Sequence, residues 1–322
     1  MLWLFFSNIS EAYRYTPYQG NTWIDVQNYK IEFLNIDRDT KVIDFKTTIT
    51  AKAISNFSSW ERFWLDFVDT YQINEVLFNN QTINSWNYRI TYTWSVSLSW
   101  TNKKLEILLP YNINNSWDIV IKVTYSWIPK LDIDTSWLWF YSTGTELHAF
   151  NEPLWAHQRF PCSDVPWDKA TLDFYVTTLT GKVVVWNWKL IHDTDNWNGT
   201  HTVYRKEKYP ISTYNVYIWV WPFTTVYSGT SPFLSGSQNI WWYTKSSNTA
   251  LSNRVKELST TTWMMKQMID ILWPYPFADE KFWIILRPIN NYMEHNTIIW
   301  MSSVSNDTLT RHELAHQRIW NL

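Results

Sequence analysis

The sequence predicts a mainly β domain over residues 1–218, an antiparallel sandwich or saddle of sheets, followed by an α+β part over 219–322. Three observations carry this prediction. Between about 22 and 218, short runs suited to strands alternate with Asn, Asp, Ser and Thr turns. No long helical periodicity interrupts them. Near residue 250 the pattern changes to an amphipathic helix, two strand-like runs and a capped helix.

The β runs are Tyr29–Leu34, Lys41–Ala53, Leu105–Leu109, Ile119–Tyr125, Ala170–Thr178 and His201–Tyr204. Met1-Leu2-Trp3-Leu4-Phe5-Phe6 reads as a buried strand, because it is too short for a signal segment and no basic stretch precedes it. The absence of a recognisable signal peptide tilts localisation toward the cytoplasm. Ala250–Leu272 carries Leu251, Val255, Leu258, Met264, Met268 and Ile271 at helical spacing and stops at Trp273-Pro274-Tyr275-Pro276, where two prolines end a helix. Phe282–Leu286 and Thr297–Met301 follow as strands. Asn306-Asp307 caps a last helix over Thr308–Asn321.

Composition excludes some function classes. A net charge of −2 with 17% charged residues argues against a nucleic-acid binder with a basic stripe. No run of about eighteen apolar residues is present, so no helical membrane span is expected. The one cysteine, Cys162, rules out an internal disulfide framework. It reads as a small buried hydrophobe, since no partner base is specified near it.

The chain has 25 tryptophans and 6 glycines, whereas glycine at about 7% would give roughly 22 in a chain of this length. Many tryptophans stand where turns favour glycine: Trp186-Asn187-Trp188, Asn196-Trp197-Asn198-Gly199, and the Ser-Trp pairs at 59–60, 85–86, 99–100, 116–117, 126–127 and 136–137. Turns of this kind use φ > 0, which glycine adopts freely and a bulky residue does not. The pattern is that of glycine codons decoded as tryptophan. A tryptophan-rich surface that stacks on sugars is the alternative reading.

The strongest chemical signal is His312-Glu313-Leu314-Ala315-His316. Residues four apart lie on one face of a helix. Two imidazoles there can reach one Zn²⁺, and the glutamate between them can hold the attacking water as general base. Two solvated helix histidines would give the same five residues.

Wider context favours the metal. His312-Glu313-Leu314-Ala315-His316-Gln317, with Trp320-Asn321 read as Gly-Asn, resembles the zinc helix of the aminopeptidase N family. Asn291-Tyr292-Met293-Glu294-His295, whose glutamate lies eighteen residues before His312, resembles that family's Gly-x-Met-Glu-Asn signature, with Asn291 in place of glycine and His295 in place of asparagine. Further matches are Asn151-Glu152-Pro153, then Arg159-Phe160-Pro161-Cys162-Ser163-Asp164-Val165-Pro166, Pro210-Ile211-Ser212-Thr213-Tyr214 and Tyr275-Pro276-Phe277. The resemblance runs from about residue 22 to the end.

It implies a zinc metallo-aminopeptidase whose carboxyl-terminal part begins a thermolysin-like catalytic domain. One catalytic Zn²⁺ would be held by His312 and His316, with Glu313 as the base. Glu294 and Glu152 would grip the α-ammonium of a peptide substrate by charge-assisted hydrogen bonds. The backbone of Asn291, Tyr292 and Met293 would pair with the peptide as an added strand. The resemblance puts the third zinc ligand, a glutamate, beyond Leu322. The expectation is therefore an amino-terminal fragment, inactive by itself. The alternatives are a non-catalytic peptide-binding or scaffold protein that keeps the fold, and the epoxide hydrolase branch of the family. Peptides are the expected partners. His157 and His295 have no ligand spacing and are expected to be hydrogen-bonded bystanders.

Overall fold

A computed structural model describes residues 23–36, 43–93, 102–127, 141–142, 147–149, 156–187, 189–221, 224–230, 239–244, 267, 269–271, 275–280, 282–286, 292–301 and 307–319. Strand β1 (Ile24–Ile36) shows how the sequence builds the first sheet. Ile24 and Val26 face inward, then the alternation slips by one so that Tyr29, Ile31 and Phe33 are buried. The slip coincides with a bulge between Val26 and Asn28 in the pairing with β2 (Ile43–Ala53). An extra residue in one strand re-aims every side chain after it. β2 alternates buried and partly exposed positions without such a break, as a half-buried strand does.

These two strands lie in the middle of an eight-stranded sheet. It also holds β4 (Gln72–Phe78), β5 (Gln81–Thr82), β8 (Asp118–Trp127), β11 (Ala170–Leu179), β13 (Lys189–Asp195) and β14 (Thr200–Ile211), in the order β13-β14-β11-β1-β2-β8-β4-β5. All neighbours are antiparallel except β1 and β11, which run parallel over Asn28–Phe33 and Thr171–Val176. The expected antiparallel character therefore holds with one exception, at a pair separated by more than a hundred residues of chain, ample for a crossover.

A three-stranded sheet of β3 (Arg62–Asp66), β7 (Asn102–Leu108) and β6 (Tyr88–Thr93) shares one apolar core with the large sheet. Ile49 and Ile121 from the large sheet and Leu65 and Leu105 from the small one belong to that core. A four-stranded sheet follows, in the order β12 (Val183–Trp186), β15 (Ile218–Trp221), β10 (Leu147–Ala149), β9 (Tyr141–Ser142). β15 begins at Ile218.

The carboxyl-terminal part is a mixed sheet of β16 (Thr224–Thr230), β17 (Asn239–Thr244), β18 (Phe282–Leu286), β20 (Ile298–Met301) and β19 (Tyr292–Met293), in that spatial order. β17, β18 and β20 run parallel to one another, and β19 closes the order antiparallel to β20. Helix α1 (Asp307–Ile319) contacts β19 and β20. The predicted strands at 282–286 and 297–301 and the final helix coincide with β18, β20 and α1 to within two residues. Of the predicted helix over 250–272, Gln267 and Ile269–Ile271 are helical and the remainder lies outside the described residues, as does the predicted strand at 1–6.

The Arg159–Pro166 segment stitches the layers together. Cys162 bridges to Asp66 with backbone bonds of 2.8 and 3.1 Å. The Ser163 N–H donates to Tyr29 Oη at 3.0 Å, and the Asp164 N–H donates to Asp66 Oδ2 at 3.0 Å. His157 Nδ1 sits 2.7 Å from Asp164 Oδ2, so it is the hydrogen-bonded bystander expected. Burial pushes the Cys162 thiol well up, which keeps it protonated and inert.

Among the described residues, two of the turn tryptophans occupy left-handed backbone: Trp60 at φ +76° and Trp197 at φ +58°. Gly199 shares that conformation at φ +82°. In the Ser116-Trp117 pair it is the serine that is left-handed, at φ +69°. Trp186 differs from the turn reading. It is the last residue of β12 and is fully buried against Phe174, 4.3 Å between ring centroids.

Candidate metal centre

α1 buries Glu313, Leu314, Ala315 and Gln317 against the mixed sheet and leaves His312 and His316 half-buried. One helical turn apart, the two imidazoles meet edge to face with their Nε2 atoms 3.1 Å apart. Two nitrogens at about 2.0–2.1 Å from one tetrahedral zinc stand roughly 3.3 Å apart, so the pair already has the bite of a zinc site. Burial lowers the pKa of both, with the neighbouring His316 adding to the effect at His312; His316 is pushed down to about 4. Both are therefore neutral near pH 7, the form that ligates a metal. His316 Nδ1 is buried and has no hydrogen-bond partner among the described residues.

Facing this pair is the turn after β19. Met293 anchors it in an apolar cluster with Val185, Tyr217, Trp283, Ile285, Ile298 and Trp300. Glu294 follows and is 8% exposed. Its carboxyl reaches Glu313, and Glu294, Glu313 and His316 offer ligand atoms all within 4.8 Å of one another. Burial raises the Glu294 pKa, an effect that its own backbone and the hydrogen bond to Glu313 partly offset. Two carboxyls and the His316 imidazole thus converge, with the His312 imidazole beside His316. A divalent cation, or an ammonium between the acids, would relieve the crowding of buried acids.

The turn itself is tight. The Ile298 N–H donates to His295 O at 3.0 Å, and Thr297 takes φ +59°. His295 is fully buried and stacks on Tyr217 with 4.5 Å between centroids. Burial, and then the charge of Arg159, hold its pKa well below the ordinary histidine value, so it is a neutral core residue.

Of the residues singled out from sequence, His312, Glu313, His316 and Glu294 come together here. Met293 and the Tyr292 backbone form β19, which stands last in its sheet among the described residues. Glu152 and Asn291 lie outside the described residues. Sequence reasoning missed the polar clamp behind the turn. Gln317 Nε2 donates to Glu294 O at 3.0 Å and His295 O at 2.8 Å, and its Oε1 accepts the Thr297 N–H at 2.7 Å. Asn296 Nδ2 donates to Glu207 Oε2 at 2.8 Å, and Asn187 Nδ2 donates to Asn296 O. The available signal was an amide, Gln317, three residues from the buried Leu314 on the inward face of an amphipathic helix.

No family model matches the chain, and no curated protein matches it. Solved structures do. A two-domain M1 zinc metallopeptidase mutant bound to L-arginine is 21% identical, with a TM-score of 0.71 over 94% of this chain and 66% of that chain. The same kind of enzyme bound to L-tryptophan is 23% identical, with a TM-score of 0.70 over 92% of this chain and 65% of that one. An M1 zinc metallopeptidase mutant from Deinococcus radiodurans bound to a Tyr-Ser-Ala substrate is 22% identical, with a TM-score of 0.70 over 92% and 65%. The fold of this chain is thus that of the M1 zinc metallopeptidases, of which it spans about two thirds.

Proposed function

From the M1 metallopeptidase fold as premise, we propose that the protein is a zinc-dependent aminopeptidase. One observation carries the reading: Glu294, Glu313 and His316 converge within 4.8 Å beside a second imidazole already placed 3.1 Å away. His312 and His316 would hold the metal, with a third protein ligand completing the site. When bound, Zn²⁺ polarises the scissile carbonyl and lowers the pKa of water. Glu313 takes the proton from the attacking water and returns it to the leaving amine. Glu294 receives the substrate α-ammonium, whose charge offsets the cost of the buried carboxylate. Glu152 is the proposed second anchor. β19, last in its sheet among the described residues, would pair with the peptide backbone through Tyr292 and Met293, and Asn291 is proposed to join them. The division into a β domain to about residue 218 and a catalytic domain beyond it belongs to the same proposal.

A geometry that anchors the amino terminus beside the metal allows cleavage of the first peptide bond alone. The test compares a peptide bearing a free α-amine with its N-acetylated form in the presence of zinc. In the protein that carries the third zinc ligand, the free peptide should lose single residues from its amino terminus, and acetylation should slow this by about a hundredfold or more, the scale of losing a buried charge pair. The 322 residues alone are expected to show no turnover. Equal rates for the two, or cleavage within the peptide, would contradict the reading.

A further inference from the structure

Gln317 is fully buried on α1 next to His316, and its hydrogen bonds go to the turn that carries Glu294 instead of to the two imidazoles. Its carboxamide makes three backbone hydrogen bonds, all to the Glu294–Thr297 turn: two donated to the Glu294 and His295 carbonyls and one accepted from the Thr297 N–H. A primary amide has two donors and a two-lone-pair acceptor, so both donors are spent on this turn. The turn needs such help. Thr297 is left-handed at φ +59°, a conformation a β-branched residue resists. On its other side the turn is tied by Asn296 to Glu207 of β14 and to Asn187. Glu207 is itself fixed, since its Oε1 accepts the Tyr209 N–H at 2.8 Å. The Asn187 Oδ1 accepts the Tyr217 N–H at 2.7 Å.

We propose that Gln317 is a positioning residue: it locks the Glu294 turn to the helix that carries His312 and His316, and so sets the distance between the amine anchor and the metal. The network through Asn296, Glu207 and Asn187 ties the same turn to the strands of the β-rich part. The proposal rests on the reading of Glu294 as the amine anchor. It predicts that amine recognition and metal binding separate when Gln317 is changed. The histidines sit on the helix itself and keep their spacing, whereas the turn slackens.

The experiment uses the full chain with Zn²⁺, L-arginine and N-acetyl-L-arginine as probes, read by calorimetry, together with amide hydrogen exchange at Thr297. Q317M keeps length and volume but deletes all three bonds. Q317N keeps donors and acceptor but shortens the reach, and stands in if Q317M does not fold. I121V, in the fully buried core of β8, is the control for a general loss of stability. The expected result for either Gln317 variant is loss of Thr297 protection and an L-arginine affinity reduced about 10–100-fold, the scale of losing outer support at a metal site, with Zn²⁺ affinity little changed. I121V should leave all three readouts as in the parent. A Gln317 variant that retains Thr297 protection and L-arginine affinity would overturn the proposal. So would a Zn²⁺ affinity that falls in step with L-arginine. A parent chain that binds L-arginine no better than N-acetyl-L-arginine would instead overturn the reading of Glu294, and the amine-positioning role with it. Thr297 exchange would still report whether the clamp exists.

Discussion

At Trp60 and Trp197 the backbone is left-handed, at φ +76° and +58°, and the side chains are 76% and 91% exposed. A bulky residue held there is strained by on the order of 1–3 kcal/mol, and exposed rings recover little of that by burial. W60G and W197G should therefore each raise stability in urea by about 1 kcal/mol, an inversion of the usual effect of glycine. If the codons are decoded as glycine, peptide mass spectrometry of the natively produced protein will read glycine at 60 and 197; tryptophan there would contradict that decoding. Trp186 shows where composition alone misleads, because this position fills the core instead of a turn. Glu313 is the other residue whose role can be isolated. E313Q keeps size and the imidazole pair but removes the proposed base, so in the protein that carries the third zinc ligand turnover should fall about 10²–10⁴-fold while Zn²⁺ still binds. Zinc-loaded E313Q with undiminished turnover would remove Glu313 from its assigned role. The helix motif was legible in the sequence because its chemistry is local, two histidines one turn apart. Gln317 was not, because the value of its amide depends on a turn folded against it from twenty residues upstream.

At the scale of elements, the seam between β1 and β11 is closed by Asp168, whose Oδ1 accepts the Val26 N–H at 3.2 Å. Burial lifts the Asp168 carboxyl to about 6, more than the nearby Ser163 hydroxyl and the Val26 N–H lower it. A carboxyl with a raised folded-state pKa holds a proton that the unfolded chain has lost, so stability declines as pH rises from about 4 through about 6. D168N retains a carbonyl for Val26 and removes the charge. It should stabilise the protein above pH 6 by on the order of 1 kcal/mol, with the difference vanishing near pH 4. Urea unfolding at pH 4.5 and pH 7.5 checks this, and a gain independent of pH would contradict it. Strands were legible because alternation is a local signal, as β2 and β11 illustrate. The parallel pairing of β1 with β11 and the bulge at Val26 were not. Both are set by partners more than a hundred residues away in sequence or by register against a neighbouring strand.

At the scale of the whole molecule, α1 and the β19 turn are coupled to the β-rich part by buried polar bonds and by the cluster that joins Val185 and Tyr217 to Trp283 and Met293. A metal gripped by α1 should therefore stabilise the molecule as a unit. Zinc at about a hundredfold over its Kd adds roughly 2.7 kcal/mol to a state that alone binds it. The melting temperature should rise with zinc, fall back on chelation, and stay unmoved by zinc in H316A; a zinc-dependent rise retained in H316A would place the metal elsewhere. The order of sheets and the convergence of two carboxyls with the His316 imidazole are global properties that only the assembled fold displays. The central claim is that His312 and His316 hold the metal while Glu294 is kept for the substrate. Anomalous diffraction at the zinc edge, from crystals grown with zinc, tests this most directly. The account predicts one peak about 2.0–2.1 Å from both Nε2 atoms, with the Glu294 carboxylate outside coordination distance. A peak ligated by Glu294 and Glu313, or none at either imidazole, would contradict it.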